Sequence, residues 1–285
     1  MRVVVTGGSG RAGQYVVREL VQAGHQVINI DRTRTDGLPA ETIVLDLTSG
    51  GAVYDAFAQV RPEGVCHLAA NPSPSGFARN DTFENNVLST FHVFQAAGDL
   101  GIRRIIYASS EMATGWLTPP ERVPAQLPFT EEDRVPSGNV YALSKFLGEV
   151  IADSIVERYR TLSICSLRIN NVILPDNYHI LEQRRRDPRR GMSNFWSYID
   201  ARDVATAFRA ALEGTTNGHE AFLIAAADTS ADRPIEDLMR DYYNGYASFA
   251  PGYGGFQSAF DCSKMRCTFG WEPRYSWRQN LITEH

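Results

Sequence analysis

Cysteine is scarce. The 285 residues hold four, Cys66, Cys165, Cys262 and Cys267, with no C-x-x-C pair and no Cys/His cluster at zinc spacing. No disulfide framework and no metal site are expected, and a reducing, cytoplasmic setting fits. Long hydrophobic runs are missing as well. No stretch approaches the roughly 20 apolar residues of a membrane span, and the opening valines run into glycines too soon to form a signal-peptide core. Positive charge is not in excess: 28 Lys and Arg against 33 Asp and Glu leave a net charge of -5. That balance argues against nucleic acid as a partner, while leaving room for a local basic pocket. No internal repeat or low-complexity tract is present. What remains is an ordinary globular composition, 43% hydrophobic and 21% charged, long enough to bury a sizeable core.

The first half alternates two periodicities. Short β-branched runs at 3–6, 26–31, 42–46, 64–68, 104–109 and 162–167 read as strands. Between them, 12–23, 83–97 and 139–159 read as amphipathic helices, the first ended by Gly24. A further helix is expected at 200–212 and a strand at 220–224. Alternation of this kind implies an α/β fold, a doubly wound parallel sheet with helices on both faces. Ligands on such sheets bind at the carboxyl ends of the strands. After Arg168 the pattern changes, and 175–195 is rich in Pro, Arg and Asn without a clear period. The expected division is a cofactor domain at 1–167 plus about 198–224, and a small substrate-binding lobe at 168–197 and about 225–285.

Gly7, Gly10 and Gly13 give the spacing G-x-x-G-x-x-G at the first strand–helix junction. Glycine lets the backbone turn tightly and lets a pyrophosphate approach, and the helix N-terminus, here Arg11 and Ala12, presents N–H groups to it. Asp31 ends the second strand, where a carboxylate accepts from the adenosine ribose hydroxyls and repels a 2′-phosphate. This points to NAD, with Arg32 beside it. Asp46, followed by Leu47, is placed to meet the adenine edge or to serve as a turn aspartate.

Tyr141-Ala-Leu-Ser-Lys145 sets a phenol and an ammonium at i and i+4 on one helix face. A nearby ammonium favours the phenolate, so the tyrosine is expected to have a lowered pKa and to act as general base or acid on a sugar-like carbinol. Ser109 and Ser110 end the fifth strand at the rim. His67 and His92 read as packed or helix-surface histidines.

TGGSGRAG (6–13), HLAA (67–70), NNVLSTFHVFQAA (85–97), YASSEMATG (107–115), YALSK (141–145), LRINNVILP (167–175), FWSYIDARDVA (195–205) and FGWEP (269–273) together resemble the extended short-chain dehydrogenase/reductase family, in its NAD-dependent epimerase/dehydratase group. The resemblance implies a Rossmann-type cofactor domain and a cytoplasmic enzyme. Ser110, counted back from Gly115, would steady the reacting oxygen. Tyr141 would be the acid/base, and Lys145 would bind the nicotinamide ribose and tune the tyrosine. It places Leu68, Ala69, Ala70 and Pro175 along the cofactor, Asn86 in support of the site, and Asn171 on the substrate. Ser73, Ser75, Glu111, Arg168 and Arg190 complete the expected substrate contacts.

Three departures bear on the substrate. The C-terminal lobe is compact, Glu111-Met112 stands where dehydratases carry an Asp-Glu pair, and Ala113-Thr114-Gly115 replaces the common Val-Tyr-Gly. Dehydration is not expected. The leading expectation is a nucleotide-sugar (UDP-hexose) epimerase. The alternatives are a free-sugar or uronate dehydrogenase and, from another class, a non-catalytic dinucleotide sensor. The resemblance also implies a homodimer formed through the helices at 83–97 and 139–159.

Overall fold

Val3, Val4 and Val5 are wholly buried in β1 (Arg2–Thr6), and they divide between two cores. Val3 and Val5 join one core and Val4 the other, as the two-residue period of a strand requires. A continuous β-branched run suits this central place, covered on both faces. The computed structural model describes residues 1–117, 124–243 and 247–280. Residues 244–246 and 281–285 of the expected second lobe lie outside them.

The remaining strands of the sheet are β2 (Gln26–Asp31), β3 (Glu41–Val44), β4 (Gly64–His67), β5 (Arg104–Ser110), β6 (Ser163–Ile169) and β7 (His219–Ile224). Their order is β7-β6-β5-β4-β1-β2-β3, and every pairing is parallel. Val4 stands opposite Ile28 of β2 and Val65 of β4. The chain winds outward from β1 to β3, then returns to β4 on the other side. That reversal opens a crevice beyond the strand ends, the usual ligand position in an open α/β sheet.

On one face, α1 (Arg11–Gln22) packs Val16, Val17 and Leu20 with Val204 and Phe208 of α6 (Ala201–Glu213). On the other lie α2 (Gly50–Val60), α3 (Arg79–Asp99) and α4 (Val140–Arg158). α2 goes beyond the sequence expectation: its buried Val53, Ala56 and Phe57 follow helical spacing, but over only three turns. The third strand is shorter than expected and leaves Asp46 in the following turn, where its Oδ1 accepts from Thr48 N–H (2.9 Å).

The segment that lacked a period forms α5 (His179–Arg186), then a 3₁₀ stretch at Pro188–Asn194. Phe195 and Trp196 follow with φ of 53° and 55°, left-handed values that bulky residues adopt only when the surroundings impose them. Trp196 is fully buried, and its indole N–H donates to Pro188 O (2.7 Å). It packs in a third core with Phe129, Phe195, Phe260 and the Leu238 and Met239 side chains of α7 (Ile235–Tyr243). α8 (Ser263–Phe269) and Trp271 return to the first core through Met265 and Trp271. No helix among the described residues is long and apolar enough to cross a membrane.

Candidate active site

The chain turns sharply after β1 at Gly7, whose φ of 75° is left-handed. Gly7 N–H donates to Ile30 O (2.9 Å) and Gly10 N–H to Gly7 O (3.1 Å). A Cβ on Gly13 would overlap Gly7 O, so the loop packs this tightly onto α1 only with glycine there. The first bond from α1 back to the loop runs from Gln14 N–H to Gly10 O (3.0 Å). The N–H groups of Arg11, Ala12 and Gly13 precede it and have no intrahelical acceptor. Asp31 accepts from Ser9 N–H (3.0 Å) on one oxygen and Thr33 N–H (3.3 Å) on the other. A carboxylate has about four acceptor positions, so it still has room for ribose hydroxyls. The Thr48 hydrogen bonds hold the Asp46 carboxyl below its ordinary range.

One cavity of about 490 Å³ joins this loop to the candidate catalytic residues. Gly7, Gly10, Arg11, Ala12 and Gly13 line one end with Asp31, Arg32, Asp46 and Leu47. Leu68, Ala69 and Ala70 line the middle, and Ser73, Ser109, Ser110, Glu111, Tyr141, Lys145 and Asn171 the far part.

α4 brings Tyr141 and Lys145 in on one face. Its N-terminus is capped by Asn139, whose Oδ1 accepts from Ala142 N–H (2.8 Å). Asn86 does not line the cavity. Its Nδ2 donates to Ser144 Oγ (3.0 Å) and to Asn71 O (3.2 Å), and its Oδ1 accepts from Asn71 N–H (2.7 Å). It therefore ties the loop after β4 to the turn of helix that carries Tyr141. Lys145 Nζ donates to Ala108 O (2.7 Å), which leaves two of its three N–H groups for a ligand. Loop, open helix N-terminus, acidic strand end and lysine fit the pyrophosphate and riboses of a dinucleotide.

Burial governs the ionisation here. It brings Lys145 down to about 7 and pushes Tyr141 above the usual phenol range, with the Glu111 charge adding to the rise and a Ser110 hydrogen bond opposing it. The expected lowering of the tyrosine is therefore not present in this state, because a phenolate is costly in so dry a place. Glu111 rises to about 7, chiefly through burial, with the Ser110 hydrogen bond and the Arg184 charge working against the rise. Ser110 Oγ donates to Glu111 Oε2 (2.9 Å) and accepts from Met112 N–H (3.2 Å). His67 is packed as expected, between Thr6 Oγ1 (2.7 Å) and Thr90 Oγ1 (3.2 Å), and burial keeps it neutral by lowering it to about 3.

Several expected contacts fall elsewhere. Arg168 faces away from the cavity: Nε and Nη2 bind the two oxygens of Glu149 (3.0 and 2.9 Å), and Nη1 binds Glu131 O (2.7 Å). Ser109 lines the cavity, but its hydroxyl donates to Glu149 Oε1 (2.6 Å). Arg190 is 60% exposed and pairs with Asp187 (3.7 Å). Ser75 is turned onto Ser73 Oγ (3.2 Å). Pro175 opens a 3₁₀ turn whose flanks, Leu174 and Asn177, line the cavity in its place.

Asn170 stands at the far wall, and Arg184, one of the arginines able to hold a carboxylate or pyrophosphate, lies behind the cavity-lining Asn171. Asn170 lines the cavity, and Arg184 Nη2 donates to Asn171 Oδ1 (2.9 Å). The signal for Arg184 is its four-residue spacing from the cavity-lining Ile180 on α5, hidden inside an arginine-rich run.

The model of the NAD dependent epimerase/dehydratase family matches residues 3–225. Among curated proteins, the L-arabinose 1-dehydrogenase (NAD(P)(+)) of Haloferax volcanii is 27% identical over 223 residues, 75% of this chain and 83% of that protein. The UDP-glucose 4-epimerase of Corynebacterium glutamicum is 22% identical over 319 residues, 100% of this chain and 94% of that one. Among solved structures, the UDP-glucose 4-epimerase of Thermotoga maritima with UDP-glucose superposes with a TM-score of 0.74 at 22% identity, covering 99% and 96% of the two chains, which shows the shared fold. With 223 of its 285 residues matched, the chain belongs to the NAD-dependent epimerase/dehydratase family.

Proposed function

We propose that the protein is an NAD-dependent oxidoreductase acting at the carbinol of a sugar, in the first reading a UDP-hexose epimerase. One observation carries this: Ser110, Tyr141 and Lys145 converge in the same cavity as the glycine loop. Bound NAD supplies the hydride acceptor. Tyr141 takes the hydroxyl proton of the substrate and returns it in the reverse direction. Lys145, 5.9 Å from the Tyr141 ring centre, supplies the positive charge that a phenolate needs in a buried site. Ser110, released from Glu111, donates to the reacting oxygen. The arrangement orients and discharges a proton, and the cofactor does the redox chemistry.

The second reading is a dehydrogenase of a free sugar or uronate. Unpartnered donors at Asn170 and Arg184, close to the reacting groups, favour it. Purified protein with excess NAD and separate aldoses, uronates and UDP-hexoses decides between the two. A changed UDP-hexose without NADH supports the epimerase, and net NADH with a free sugar supports the dehydrogenase. Turnover by Tyr141→Phe equal to wild type would sink both and leave a dinucleotide sensor.

Three further proposals accompany this reading. The chain divides into a cofactor part and a substrate part near the boundaries expected above, with α5 and the third core belonging to the latter. It forms a homodimer through α3 and α4, which expose Phe83, Leu88 and Phe91, and Leu143 and Val150 respectively. It works in the cytoplasm, a reducing setting that its four free thiols suit. A monomer mass by light scattering at micromolar protein overturns the dimer.

A further inference from the structure

At the far wall of the cavity, and just behind it across Asn171, two donors have nothing to donate to. Asn170 is 2% exposed. Its Oδ1 is occupied by Asn171 N–H (2.7 Å), while its Nδ2 has no partner among the described residues. Arg184 presents the same pattern. Its Nη2 is held by Asn171 Oδ1, and its Nη1 is buried without an acceptor. Among the other arginines of the segment, Arg185, Arg186 and Arg190 pair with Asp232, Glu182 and Asp187 respectively, although Arg185 Nε is also without a hydrogen-bond partner, and Arg189 is exposed. Arg184 makes no ion pair among the described residues.

Arg184 is half-buried, and burial lowers its pKa because the partly desolvated guanidinium has no contacting carboxylate. The carboxyl whose charge it feels is Glu111, but that group is committed to Ser110 and forms no direct contact with Arg184 among the described residues. The missing partner is therefore something that enters the cavity. It must accept two hydrogen bonds from nitrogens of separate side chains and bring negative charge. Asn170 lines the same cavity as Ser110 and Tyr141, so the partner belongs to the reacting molecule.

We propose that Arg184 and Asn170 form an oxyanion subsite in the wall of the catalytic cavity, and that the substrate is a sugar acid whose carboxylate docks there. This rests on the second reading above, a dehydrogenase of a free sugar or uronate, and selects the uronate. A planar carboxylate has two oxygens for the two donors, and a guanidinium holds such a group with directed hydrogen bonds rather than as a point charge. A neutral hydroxyl in that place would satisfy Asn170 and leave the Arg184 charge unanswered.

The test is calorimetric titration of the NAD-loaded protein with D-glucuronate, D-galacturonate, their neutral aldoses and D-glucose 6-phosphate, with NADH read in the same samples. At least one uronate should bind about 10- to 100-fold tighter than its aldose, the range of a hydrogen bond to a charged group. Arg184→Met should collapse that ratio, and Arg184→Lys should restore part of it. Three results overturn the subsite: equal affinity for acid and aldose in the wild type, binding of the phosphate but of neither uronate, or a proportional loss for both sugars in Arg184→Met. The wild-type comparison stands even if a variant fails to fold. A uronate preference without NADH keeps the subsite and removes the dehydrogenase reading. NADH from an aldose without preference for the acid does the opposite.

Discussion

The two ends of the cavity are built on different principles. At the glycine loop, backbone does the recognising: a left-handed Gly7, a Gly13 with no room for a Cβ, and helix N–H groups left open. Polar side chains there are anchored to nearby backbone, as Asp31 is to Ser9 and Thr33. At the catalytic end, Ser110, Glu111, Tyr141 and Lys145 are all buried, and burial displaces the pKa of the last three. One end is a shape that any member of the family needs for the same cofactor. The other is a set of poorly solvated charges whose balance an incoming ligand can change. Specificity therefore resides where the protein alone is least satisfied electrostatically.

The sharpest way to separate the two ends is Tyr141→Phe. It removes one hydroxyl and keeps the ring, so turnover should fall about 10²- to 10⁴-fold, while NAD affinity by fluorescence titration stays within a few-fold. A matching loss of NAD affinity would mean that the ends are not separable. Arg168→Met comes next and acts through the scaffold. It leaves Glu149 buried without its partner, at a cost of about 3–5 kcal/mol in unfolding free energy. Chemical denaturation reads that cost. A stable variant with a lost uronate preference would reinstate Arg168 as a substrate contact. Gly13→Ala tests the cofactor end alone. The added methyl forces the loop from α1 at about 1–3 kcal/mol, and NAD binding should weaken more than sugar binding to the NAD-saturated protein.

This asymmetry also explains what could be read in advance. The loop is legible because backbone recognition leaves a mark at fixed spacing, and Tyr141 and Lys145 are legible because one helix carries both. Arg168 and Arg184 were indistinguishable as arginines. Only the fold turns Arg168 toward Glu149, two turns below Tyr141 on α4, and Arg184 toward Asn171. α5 itself went unread because eight residues with one buried leucine leave almost no hydrophobic period. Asn86 was expected to support the site, but its partners, Asn71 and Ser144, are separated from it by 15 and 58 positions and appear only in three dimensions.

Glu111 links the two questions that remain at the catalytic end, stability and charge selection. Its carboxyl titrates near 7 in the folded chain against an ordinary 4.5. A group that holds its proton more tightly when folded contributes stability that is complete below its unfolded pKa and is lost as pH rises through the folded one. The wild type should therefore lose about 2–3 kcal/mol between those limits that Glu111→Gln retains. Thermal unfolding of the two proteins at pH 5 and pH 8 would show the gap opening at the higher pH. The same titration should reach substrate choice. Ser110, Tyr141 on α4 and Arg184 on α5 face this carboxyl, and only its own ionisation adds a negative charge beside the proposed subsite near neutrality. Lys145 also comes down to about 7, and losing its charge weakens an anion more than a neutral sugar, so it adds a fall of its own to the ratio. The affinity ratio of uronate to aldose should then fall more steeply past pH 7 in the wild type than in Glu111→Gln. A ratio that falls equally in both would place the pH-sensitive charge elsewhere than at Glu111.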